Sequence, residues 1–178
     1  MPKQTAFGGD NNFQDFKSEG VRIVNEADTE KLMEWLDKLR SDESIEVQQA
    51  AAVCHAISDV SPTLFEQFQK ELIEVIRKNV HTAGPRFTYR VLAEILIDEE
   101  NLGEVIDLSF ESLKDSHSPI AIQVFSMTVI ANQMKRYPEL GVELEAAIQF
   151  RFNTGSAGFK NRALKIAKAY GLKIEENM

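Results

Sequence analysis

From residue 28 almost to the end of the chain, apolar residues recur at the three- and four-residue spacing of an α-helix. No segment alternates apolar and polar residues as a half-buried strand would. A chain patterned this way hides its apolar side only by packing helix on helix. Leu32, Trp35, Leu36 and Leu39 form one stripe, and Val47, Ala51, Cys54 and Ile57 the next. Phe65, Phe68, Leu72 and Ile76 follow, then Val91, Leu92, Ile95 and Leu96. Further stripes run through Leu102, Val105, Ile106 and Leu113, through Ile120, Val124, Met127 and Ala131, and through Leu140, Leu144, Ala147 and Ile148. Pro62, Pro85, Pro119 and Pro138 stand where new stripes begin. Proline suits a first helical turn, where its missing N–H has no intrahelical partner to lose. Ser44, Ser61, Asn101, Ser118 and Ser156 are placed to cap helices. The pattern predicts eight helices, over 28–40, 44–59, 62–79, 85–98, 101–114, 118–136, 138–152 and 156–170.

These helices fall into pairs of one kind. In TEKLMEWLDKLRSDESIEVQQAAAVCHAI, residues 29 to 57, a Leu-rich first helix leads through Asp42 to a second helix of small residues (Val47, Ala50, Ala51). This unit resembles a HEAT repeat. The plan returns at 101–131, where Leu113, Lys114 and Asp115 precede SPIAIQVFSMTVIA, and more loosely at 62–98 and 138–170. Gln48, Arg90, Gln123 and Arg162 align in the second helices at separations of 42, 33 and 39 residues, compatible with two-helix repeats. The resemblance implies an all-α fold, an α-α superhelix: a short HEAT/armadillo-like solenoid of about eight helices in four pairs over 28–172. It also implies a polar ladder in which a basic second-helix residue joins a turn Asp. Gln48 and Gln123 replace two of the bases, and Asn79 and Asn153 two of the turn acids, so the expected ladder is incomplete. Residues 1–27 fit no helix template well and are expected to form a partly flexible arm with a mobile extreme N-terminus. Phe13, Phe16, Val21 and Ile23 would dock that arm on the first repeat, and residues 173–178 would form a tail.

Charge is unevenly distributed. The net charge is −8, but residues 1–150 carry −12 and residues 151–178 carry +4. Seven acids between Asp98 and Asp115 face a single Lys114, a pattern usual for a solvated helix face. The acidic total argues against general nucleic-acid binding. The one cysteine, Cys54, suits a reducing cytoplasm. The longest apolar run, 120–131, is too short to span a bilayer.

The segment GSAGFKNRALKIAK, residues 155–168, looks most like a chemical motif. A phosphate loop would place Lys directly after the second Gly and a hydroxyl after the Lys, behind a strand, and none of these is present. Gly155, Ser156, Lys160 and Asn161 echo the catalytic loop of adenylosuccinate lyase, yet its Met-Pro pair is missing and the chain is far shorter. A capped helix accounts for every residue. Phe159, Ala163, Ile166 and Tyr170 share one face, Leu164 and Ala167 widen it, and Arg162, Lys165 and Lys168 lie opposite. PELGVELEAAI with SAGFKNRALKIAK is similar to small bacterial HEAT-like proteins of unknown function, some labelled as adenylosuccinate lyase without its motif. No catalytic residue follows from that likeness.

Cys54 and His55 diverge by about 100° on one helix, so they make a poor metal pair, and His81 and His117 sit in separate turns. No metal, cofactor or catalytic group is expected. The expected function is a non-enzymatic protein–protein interaction module, with a protein, a peptide or a second copy as partner. Arg90, Gln123, Arg162, Lys165 and Lys168 are its candidate contact residues. The alternative is a nucleic-acid-binding protein resembling the DNA-alkylation-repeat glycosylases, which would need a continuous basic groove.

Overall fold

A computed structural model describes residues 10–175, with side chains from Gln14 onward. Residues 1–9 and 176–178 and the Phe13 side chain lie outside the described residues, and with them the expectation of a mobile extreme N-terminus. Among the described residues all regular structure is helical. The order is α1 (Asp10–Glu26), α2 (Thr29–Leu39), α3 (Ser44–Val60), a 3-10 segment (Pro62–Phe68), α4 (Gln69–Lys78) and α5 (Ala83–Leu92). Then come α6 (Glu99–Lys114), α7 (Ile120–Gln133), α8 (Leu140–Phe152) and α9 (Ala157–Tyr170). The chain divides into two compact units, one ending at Ile97 and the other beginning at Asp98.

In the first unit, α1 packs chiefly on α3, α2 pairs with α3, and α5 packs on both α3 and α4. No helix is predicted before residue 28, and α1 corrects that. The helix is polar along most of its length, so its apolar signal is thin, and Gly20 reads as a breaker. In the fold Gly20 is the contact point: a Cβ there would lie 2.6 Å from the Ala56 Cβ and 2.7 Å from the Val53 carbonyl oxygen. Absence of a side chain lets the two helix backbones meet. Ile23 is buried beside this crossing, and Phe16 meets Trp35 edge-on with centroids 6.1 Å apart. Val21, expected to dock, is exposed instead.

The helix predicted over 62–79 divides in two. Ser61 makes no side-chain cap, and Pro62 opens a seven-residue 3-10 run. At its end the buried Gln69 amide donates to the carbonyls of Glu66 and Leu96, each at 3.0 Å, while Glu66 Oε1 accepts from the Leu96 N–H at 3.2 Å. This polar clamp ties the helix junction to the chain after α5, and a periodicity count does not see it. Of the five expected caps only Ser156 makes a capping bond, accepting from the Phe159 N–H at 3.2 Å. Ser44 and Asn101 lie inside their helices, and Pro119 takes the capping position expected for Ser118. Asp28 caps α2 by accepting from the Lys31 N–H at 3.0 Å.

In the second unit α7 is central, packing on α6, α8 and α9. Val105, Leu113, Met127, Val129, Ile130, Leu144, Ile148, Phe159 and Ala163 make its core, each essentially without exposure. Gly171 closes α9 in the left-handed region at φ 74°, where glycine carries no Cβ penalty. The chain then runs back beside α8. The Lys173 N–H donates to Glu145 at 2.6 Å, and Gln149 exchanges two bonds with the Glu175 backbone at 2.7 and 2.9 Å.

Candidate partner-binding surface

The expected contact residues separate once their partners are seen. Gln123 is only 4% exposed. Its amide donates to the carbonyls of Ser118 at 2.7 Å and Asp115 at 3.1 Å, so both N–H groups are engaged in the turn between α6 and α7. Gln48 donates to Ser44 within its own helix. Arg162 reaches from α9 to the Thr128 hydroxyl of α7 at 3.3 Å, a link that holds two helices together.

Arg90, in the first unit, joins α5 to α3. Its guanidinium bonds Asp59, lies 2.9 Å from His55 Nδ1 and 3.5 Å from Glu94. The acid it pairs with stands at the end of α3 and is not the turn Asp of the expected ladder. That turn residue, Asp42, instead takes Lys78 at 3.1 Å, and the same ammonium donates to the Arg40 carbonyl at 2.8 Å. Arg40 bonds Glu74 at 2.7 Å. The first unit is thus stitched by a polar ladder on different rungs. Burial, with Arg90 and Arg86 nearby, pushes His55 down to about 4, which keeps its ring neutral beside the two guanidinium groups.

Lys165 and Lys168 remain. Both are exposed, and neither makes an ion pair with a described residue. Leu164, expected on the inward face, lies beside them with 41% exposure, while Phe159, Ala163, Ile166 and Ala167 take the core side. Leu164 lies about 160° round the helix from Ile166, beyond the arc of roughly 100° that packing along one side buries. Leu164 and Lys168 are one turn apart, and Lys165 flanks them on the same arc. The result is an exposed apolar side chain at the edge of an arc that carries two ammonium groups in no ion pair with a described residue.

Two further features escaped the sequence reading. On α8, Val142 and Phe150 are 79% and 77% exposed; the helix is apolar on nearly all sides, and the spacing of its buried half alone hides this. Between α6 and the start of α8 lies a groove of about 320 Å³, lined by Leu102, Gly103, Ile106, Tyr137 and Leu140 and rimmed by Glu99, Asp107 and Glu139. Tyr137 donates to Glu99, which also pairs with Arg136. Asp107 and Glu139 make no ion pair with a described residue. A Cβ on Gly103 would meet nothing within 4 Å, so the α6 backbone lies open at the groove floor.

Nucleophilic chemistry has little to work with here. Cys54 is fully buried, and burial pushes its thiol up, away from the reactive thiolate. Among the described residues no three His, Cys, Asp or Glu side chains come together to hold a metal ion, and no helix is long and apolar enough to cross a membrane.

No curated protein and no solved structure matches the chain. A family model described as a HEAT repeat domain matches residues 17–170, a span that begins within α1 and ends with α9. Helix pairs, all-α content and that match agree, and the chain belongs to the HEAT repeat family.

Proposed function

We propose that the protein is a non-enzymatic interaction module that binds another polypeptide through the outward face of α9. HEAT repeats commonly serve as protein-binding scaffolds. The observation that carries the proposal is exposed Leu164 beside Lys165 and Lys168 on one arc of α9, with neither lysine making an ion pair with a described residue. An apolar anchor beside two cations fits an amphipathic segment that offers apolar and acidic side chains together. The cellular setting we propose is a reducing cytoplasm, where the buried Cys54 needs no disulfide partner.

A nucleic-acid reading has less support. Arg90 is held by Asp59 and Glu94, Arg162 by Thr128, and Lys160 lies over the Phe152 ring, which leaves Lys165 and Lys168 of α9 in place of a basic track. Affinity capture from a cell lysate, comparing the wild type with Lys165→Glu/Lys168→Glu, tests the proposal. Arg162 is left intact because it supports the packing of α9. A stoichiometric protein retained by the wild type and lost from the variant is the expected result. Recovery of the same proteins by both chains would remove α9 from the interface. Nucleic acid recovered by the wild type, with binding falling steeply between about 50 and 200 mM salt, would replace the proposal with the nucleic-acid reading.

A further inference from the structure

The second unit carries two surfaces with matching chemistry. One is the α6–α8 groove, apolar along Leu102, Ile106, Tyr137 and Leu140 and rimmed by the unpaired carboxylates of Asp107 and Glu139. The other is the outward face of α9, where exposed Leu164 lies beside Lys168 and Lys165, neither of them in an ion pair with a described residue. Their spacing agrees as well as their charge. Gly103 and Asp107 stand one turn apart on α6, and Leu164 and Lys168 stand one turn apart on α9. An apolar side chain placed over the bare Gly103 backbone therefore brings its neighbouring ammonium to the Asp107 carboxylate. The open space at Gly103 permits the close approach such a contact needs.

We infer that the groove between α6 and α8 receives α9 of a second copy of the chain. The inference rests on the reading of α9 as a binding face and names its occupant. The contact is heterologous, since groove and helix are different surfaces, so a pair of copies keeps one free groove and one free α9. Such contacts propagate into a ring or an open filament rather than closing as a two-fold dimer.

Sedimentation velocity on the full chain, at concentrations up to about 500 µM in about 50 mM salt, tests this. The wild type is expected to show a mass rising with concentration and falling again as salt reaches about 500 mM. Lys165→Glu/Lys168→Glu and Asp107→Lys/Glu139→Lys are each expected to weaken association at least about tenfold. An equimolar mixture of the two is expected to associate again, because each reversed surface then meets its complement. Gly103→Leu, which fills the groove at a position with room for a side chain, is expected to weaken association without lowering the thermal midpoint. A wild type that stays monomeric throughout overturns the inference, including where its groove binds a lysine-rich helical peptide instead. Association that survives both charge reversals overturns it and takes α9 out of the contact as well. Loss in the α9 variant with no loss in either groove variant overturns the groove as acceptor while leaving α9 a binding face.

Discussion

Two glycines show how opposite consequences follow from one residue type. At Gly20 a side chain has nowhere to go, because Ala56 and the Val53 carbonyl lie within 2.7 Å of a Cβ. Replacing a helical glycine gains at most about 1 kcal/mol of propensity, and overpacking a rigid helix crossing costs about 1–3 kcal/mol. Gly20→Val is therefore expected to lose about 2 kcal/mol by urea unfolding. Gly103→Ala, with nothing within 4 Å, is expected to gain up to about 1 kcal/mol. His55 supplies a pH effect of definite sign. Its folded value is pushed down to about 4 from an ordinary 6.5, first by burial and then by Arg90 and Arg86. Between those values the unfolded chain takes up a proton that the folded chain refuses. Stability present above pH 6.5 is thus lost as pH falls towards 4, on the order of 3 kcal/mol in all. His55→Gln leaves Arg90 an acceptor and removes that contribution. The loss of urea midpoint between pH 7 and 4.5 is expected to be smaller in the variant than in the wild type. The carboxylates titrate in both chains and cancel in the comparison.

Among the helices, caps separate positions that look alike in the sequence. Ser156 bonds the Phe159 N–H, whereas Ser61 makes no cap bond. Ser156→Ala is expected to cost about 1 kcal/mol and Ser61→Ala close to nothing, both read from thermal melts. The stripes of α2, α3 and α6 are legible as written, because a helix that buries one side must repeat its apolar residues every turn. On α7, apolar nearly all round, Ile120 of the expected stripe is 51% exposed and Ile122, Val129 and Ile130 are buried instead. α1 is not, since its buried side uses Gly20, a residue with no apolar signal at all. The 3-10 segment was also hidden, because the Gln69 and Glu66 bonds to Leu96 join residues about thirty positions apart.

Across the whole chain, α1 acts as the cover of the first unit. Removing residues 1–27 would uncover the α3 surface around Val53 and Ala56 and one edge of Trp35. The truncated chain is expected to melt lower and to bind an apolar dye that the full chain does not. The family match beginning at residue 17 includes most of this helix. Of the candidate surface, Lys165 and Lys168 were legible from helical phase alone; the fates of Arg90, Gln123 and Arg162 were not. By itself the sequence determined the all-α class, the pairing of helices and the polarity of α9, because helical periodicity and turn chemistry act over a few neighbouring residues. Only the tertiary structure decided that residues 10–26 form a helix, which carboxylate each cation takes, and that Leu164 stays outside. Those outcomes depend on how packed helices bring distant residues within bonding distance, and no local pattern records that.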